Sequence, residues 1–225
     1  MADTGQEITE ALQTDAAFII NGIEISQSIF IMWIVMAALI IFMLVVTRNL
    51  SAENPGKMQC LLEMAYLKFH GFFGGLVGEK GKRYIPYLTF MLFFIGAMNL
   101  FPIFGVKPPT KDINVTIACA VVTIVLVQVA SIQQKGAGGW LKGFTHPVVV
   151  VTPINILELI IKPLSLCLRL FGNMIGAFAI MKLLEYVVPI VVPAFAMLYF
   201  DFFDGILQAF IFAFLSAMYI GEAVE

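Results

Sequence analysis

Charge is the scarcest property of this sequence: 225 residues carry only 13 Lys and Arg and 15 Asp and Glu, 12% of the chain, while 60% is hydrophobic. A soluble domain of this size carries about twice that share of charge. Histidine is limited to His70 and His146, far apart in sequence. The three cysteines, Cys60, Cys119 and Cys167, show no CxxC or metal spacing and read as small apolar fillers. No metal and no cofactor are expected, and no nucleic acid is expected as a partner. Residues 1–28 contain no Lys or Arg but do contain Asp3, Glu7, Glu10, Asp15 and Glu24. A secretory signal starts basic and a transit peptide is rich in Arg, so this acidic tail is read as part of the mature chain. "GEKGKRY" falls short of a phosphate-binding loop, because position 76 is Leu rather than Gly and position 83 is Arg rather than Ser or Thr. There is no HExxH, no Ser-His-Asp elbow and no haem motif, so the chain itself is expected neither to bind ATP nor to do covalent chemistry.

What the sequence does have is long apolar runs, and its mean hydropathy is +0.96. Several reach the ~20 residues that cross a ~30 Å hydrocarbon core. They are continuous rather than alternating, which excludes a β-barrel. Spans are predicted at about 29–47, 85–104 and 113–134, and residues 154–222 are almost continuously apolar apart from Pro189 and Pro193. Between the first two spans, 55–73 is amphipathic and 74–84 is rich in Gly and Lys, predicting a surface or re-entrant helix and then a loop. Pro108-Pro109 forbids a continuous helix through the next connection, and "KGAGGWLKGFTHP" reads as a loop. The fold class predicted is an all-α polytopic membrane protein with about five transmembrane helices, one amphipathic helix and a long, steeply tilted C-terminal hairpin. It divides into an acidic segment 1–28, helices over 29–153 and the hairpin 154–225.

The basic residues orient the chain. Arg48, Lys57, Lys68, Lys80, Lys82 and Arg83 fall in one connection, and Lys135 and Lys142 in another on the same side. Lys107 and Lys111 alone fall opposite. The positive-inside rule puts the N-terminus outside and, by counting spans, the C-terminus in the cytoplasm. Residues 154–188 would form ~52 Å of helix, far more than a bilayer core needs, so that arm must tilt or lie along a protein surface.

Polar residues line both arms. At 100° per residue Glu158, Lys162, Ser165, Arg169, Asn173 and Gly176 fall within about 40° of Arg169. On the second arm Asp201, Asp204, Tyr219 and Glu222 fall within about 40° of Gln208. Such residues in apolar helices are costly unless they face water or partners. Glu158, Lys162 and Glu222 could instead snorkel to an interface, and Asp201 and Asp204 could mark the outer boundary. Gln208 could be an interhelical hydrogen bond, and Arg169 an internal ion pair with Asp201 or Asp204. Gly172, Gly176 and Ala177 would let another helix approach closely.

"PLSLCLRLFGNMIGAF", residues 163–178, resembles the signature of subunit a of F-type ATP synthases, the membrane stator of the ion-driven rotor. "NPGKMQCLLEMAY", "GKRYIPYLTFMLFFIGAMNLFPIF", "PPTKDINVTIACA" and "LQAFIFAFLSAMYI" resemble the same family, in its order, over roughly residues 28–222. The resemblance implies a component of an H⁺- or Na⁺-transporting two-sector ATPase whose partners are the c-subunit ring, the peripheral-stalk b subunits, the rest of the complex and the lipid bilayer. It implies two offset half-channels that load and unload the ring's carboxylates, separated by the arginine that aligns with Arg169. Asn173 and Gln208 match polar positions of the outer half-channel, Asn114 also matches the family pattern and is expected on the ion pathway, and Asn99 matches a common asparagine. Glu158 could line the exit half-channel by position, and Ser165 and Tyr219 belong to the same polar lines. Some members carry an acidic residue nine positions after the arginine, where this chain has Phe178. Many carry an ionisable residue seven before the glutamine, here Asp201, which with Asp204 is expected to relay protons in the outer channel. The absence of a transit peptide suggests a bacterial plasma membrane. A stand-alone channel or secondary transporter is the alternative, but no internal repeat of the kind such folds show is found; a scaffold without an ion path would leave the polar lines without purpose.

Overall fold

A computed structural model describes residues 16–20, 23–48, 51, 56–101, 108–143, 152–187, 196 and 198–224. The acidic tail up to residue 15, Lys107, His146 and the Pro189 and Pro193 break lie outside the described residues, as do the side chains of Lys142 and Asp201.

The chain is an all-α membrane fold with one small departure. Strands β1 (Ala16–Ile20) and β2 (Ile23–Ser26) pair antiparallel, Ile20 opposite Ile23, just before the first helix. The sequence carried the cue: Asn21-Gly22 between alternating apolar residues is a strong hairpin signal.

Helix α1 (Gln27–Thr47) is apolar all round and buries only Ser28, Ile31 and Val35, leaving the rest to lipid. Helix α2 (Lys57–Gly81) is longer than its amphipathic pattern suggested. The Gly-rich stretch stays helical to Gly78, where φ of +68° breaks the helix. Glycines there cost ~1 kcal/mol each relative to Ala. Burial of Phe73 and Val77 offsets that cost. A 3₁₀ turn, Lys82–Tyr84, leads into α3 (Ile85–Leu100). The 3₁₀ turn Pro109–Lys111 leads into α4 (Ile113–Gly143), which bends at Gly136 with φ of +71°. Its long straight part therefore ends where the third span was predicted to end.

Helix α5 (Thr152–Val187) runs 36 residues, ~54 Å at ~1.5 Å per residue. The other arm begins as a π-helix, Leu198–Asp204, and continues as α6 (Gly205–Val224). A π turn winds more residues than an α turn, so the alignment of Asp201 and Asp204 with Gln208 reckoned at 100° per residue does not carry across it.

Among the described residues, four helices are long and apolar enough to cross a membrane: Gln27–Thr47, Ile113–Gly136, Thr152–Met181 and Phe202–Val224. The fifth predicted span is α3, only 16 residues long and buried on the side facing the others. Helix α6 is the centre of the fold. It lies chiefly against α3, α2 and α4, while α5 lies chiefly against α4. Both apolar clusters draw on α6: Phe212 packs with Met98, Leu166 and Leu170, and Ala213, Ala217 and Ile220 pack with Phe73, Ile85 and Leu88. The two arms of the hairpin thus touch each other less than they touch α4.

Candidate functional site

The two arms do meet at polar points, and these fix their register. In mid-length the Gln208 amide, only 2% exposed, donates to the backbone carbonyl of Arg169 at 3.3 Å. Near one end, the Lys162 ammonium lies 2.9 Å from Glu222 and 3.3 Å from Glu158, and 5.5 Å from the Tyr219 ring centroid. Lys162 pairing with Glu222 and Arg169 with Gln208 makes the arms antiparallel.

The Arg169 side chain is exposed, and among the described residues no carboxylate forms an ion pair with it. An internal ion pair with Asp204 is therefore not what holds it. Asn173 is exposed on the same face. Among the described residues nothing lies within 4 Å of where a Cβ would stand at Gly172 or Gly176, so they leave this face open. Behind it, Leu166, Leu170, Met174 and Ala177 are buried. A permanent cation thus stands on an open polar strip of an otherwise apolar helix, backed by a close-packed wall.

Toward the start of α5 the helices part into a cleft of about 280 Å³. Helix α4 lines it with Gln128, Ser131 and Lys135, α5 with Asn155, Glu158 and Lys162, and α6 with Tyr219 and Glu222. Trp140, on the piece of α4 beyond the Gly136 bend, folds back and donates to Gln128 at 2.9 Å. Glu158 and Tyr219 therefore share a cleft, whereas half-buried Ser165 is not among its lining residues and sits one turn short of Arg169.

Beyond Arg169, the turn Pro108–Asp112 is inserted among α1, α3, α4 and α5 and buried throughout. Thr110 donates to Asn99 at 2.9 Å, and the Asn99 amide donates to the Gly205 carbonyl at 3.1 Å. Asp112 accepts from Ser26 at 2.6 Å and from the Asn114 backbone amide at 3.0 Å, capping the start of α4. Exposed Asn114 stands beside it. Lys111 is 3% exposed, its ammonium 4.4 Å from the Phe178 ring centroid. Sequence reasoning counted Lys111 only as a loop charge and passed over Asp112. The available signal was Asp immediately before an apolar helical run, an N-cap pattern.

The arrangement has three polar zones along one helix: a charged cleft, an isolated arginine, and a hydrogen-bonded turn. From Lys162 to Arg169 is seven residues, ~10 Å, and from Arg169 to Phe178 nine, ~13 Å.

Residues 29–221 match the model of the family described as ATP synthase A chain. An ATP synthase subunit a of Moorella thermoacetica is 36% identical over 209 residues, 92% of this chain and 95% of that protein. A protein of Propionigenium modestum named ATP synthase subunit a, sodium ion specific, is 31% identical over 221 residues, 91% of this chain and 76% of that protein.

Proposed function

The chain belongs to the ATP synthase A chain family, and from that premise we propose that it is the ion-translocating stator of a rotary ATP synthase, working against a ring of c subunits. It is a multi-pass membrane protein of the ATP synthase complex. Two offset half-channels lead to opposite sides, and Arg169 separates them. Residues 154–225 form the translocating hairpin, supported by the helices of 29–153. The N-terminus lies outside and the C-terminus in the cytoplasm of a bacterial plasma membrane, and the b subunits anchor the assembly.

The observation that carries this reading is Arg169 itself, exposed in mid-helix on a strip that the chain leaves open at Gly172 and Gly176. Small residues on an open strip let a partner helix come close. A ring carboxylate arriving there meets a guanidinium that keeps its proton. Opposite charge favours the ionised carboxylate, so the ion is released. Away from water such an attraction far exceeds the ~1 kcal/mol found in water at ~4 Å. The same charge repels ions that would leak straight across.

In this reading the cleft holding Glu158, Lys162, Tyr219 and Glu222 is the cytoplasmic half-channel, with Ser165 on the way to Arg169. Asn173, Asp201, Asp204 and Asn114 belong to the outer half-channel. Gln208, whose amide is bonded to the Arg169 carbonyl, fixes the arms where the two paths come closest. The ion is H⁺ or Na⁺, the latter being what the Propionigenium relative's name specifies.

The test is ATP-driven ion uptake into liposomes holding the whole complex, native against Arg169→Ala, in sodium-free and sodium-containing buffer. Uptake is expected to vanish while the complex stays assembled, and its sodium dependence identifies the ion. Unimpaired uptake by the variant would overturn the half-channel mechanism.

A further inference from the structure

We propose that Lys111 is a positioning residue for the translocation face: its ammonium, held on the ring of Phe178, ties the far half of α5 to the buried turn and keeps Arg169 in place. This inference rests on the half-channel reading above and deepens it.

The helix that carries Arg169 has reasons to give. Pro163 sits inside it, six residues before Arg169, and removes one backbone hydrogen bond. Gly172 and Gly176 follow, with no neighbour among the described residues within 4 Å of where a Cβ would stand. Between and beyond these points α5 is fastened at intervals. The Thr116 hydroxyl lies 3.4 Å from the Cys167 sulfur, and the Gln208 amide holds the Arg169 carbonyl. The Lys111 contact on Phe178 is the next fastening along the helix, nine residues past Arg169.

What it fastens to is rigid. Irregular backbone at membrane depth persists only where its polar groups are satisfied within the protein. Here Asn99, Thr110 and Gly205 form one chain of bonds, and Ser26, Asp112 and Asn114 another. Lys111 lies between Thr110 and Asp112 in this turn. A cation on an aromatic face is attracted by the ring quadrupole, more strongly where water is excluded, and Lys111 is almost wholly buried. The Phe178 ring offers that ammonium an aromatic face at 4.4 Å.

The consequence is mechanical. Each passing ring carboxylate pulls on Arg169 sideways. If the far half of α5 shifts, the two half-channels are no longer separated by a cation at close range, and ions cross without rotation. Loosening the tie should therefore appear as leak and lost coupling rather than as loss of ATP hydrolysis.

The experiment uses the complete complex in liposomes and measures passive ion leak and ions pumped per ATP hydrolysed. Lys111→Met keeps the stem without the charge, Phe178→Leu keeps apolar bulk without the ring face, and Lys111→Arg keeps a cation that also stacks on aromatics. Lys111→Met and Phe178→Leu are each expected to raise leak several-fold with the complex assembled. The double variant should be less severe than the sum of the two singles, because both remove this shared contact. Lys111→Arg should stay near native. Native-level leak in Phe178→Leu, simple additivity in the double variant, or a Lys111→Arg that leaks like Lys111→Met overturns the proposal. Because Phe178→Leu leaves the turn intact, it decides the matter even if Lys111→Met fails to assemble. Failure of the Arg169→Ala test sinks the half-channels themselves, whereas failure here leaves them standing.

Discussion

At the scale of single residues, polar side chains of the two predicted stripes have opposite fates. Arg169 and Asn173 stay open, while Gln208 is buried and spends its amide on a backbone carbonyl of the facing arm. A buried amide that lost this partner would cost about 1–3 kcal/mol, so Gln208 helps hold the two arms together. Lys162, read as a residue that could snorkel, is held between two carboxylates on different helices. Asp201 is the residue on which the outer relay depends in the reading above. Asp201→Asn removes a group that takes and releases protons but keeps the size. ATP-driven uptake by the complex is expected to fall at least about tenfold, as for loss of a positioned acid-base group. Uptake at the native rate would remove Asp201 from the relay.

At the scale of elements, close approach governs how the helices settle. A Cβ at Gly221 of α6 would stand 2.5 Å from the Leu76 backbone oxygen of α2, a contact no side chain can make. Gly221 is what lets the amphipathic helix lie against the central one. Gly221→Leu should cost at least the ~1–3 kcal/mol of an overpacked site and lower the thermal stability of the solubilised complex. Gly75→Ala on α2, where a Cβ meets no described atom within 4 Å, should not lower that stability; equal losses in both would contradict this account. The π-helix at the head of the second arm is a different kind of feature. Such turns are rare, frequent at functional sites, and leave no mark in hydrophobic periodicity. Here the segment contains both Asp201 and Asp204.

At the scale of the whole molecule, a central α6 with lipid-facing helices around it explains the many exposed apolar side chains. Val45 and Leu67 are each 68% exposed, which only a hydrocarbon surround makes tolerable. Orientation can be read with a residue the chain already has. Cys60 is exposed on α2, whereas Cys119 and Cys167 are buried. A membrane-impermeant thiol reagent should label Cys60 in inside-out vesicles and leave it unmodified in right-side-out ones. The reverse pattern would invert the topology and exchange the two half-channels.

The sequence by itself determined the membrane class, the spans to within a few residues over 29–47 and 113–134, the long helix α5, and the polar stripe around Arg169. Those follow from composition and from the ~3.6-residue period, which act along one chain segment. It also held the hairpin cue at Asn21-Gly22 and the cap at Asp112, both local signals. Only the tertiary structure decided that 74–77 stays helical, that α6 rather than the hairpin as a pair is the core, and that Lys111 is buried on Phe178. Each of these depends on what a distant segment brings within reach, as Ala213 and Ile220 do for Phe73 and Val77. Local propensity cannot encode a contact made across 67 residues, the separation of Lys111 and Phe178.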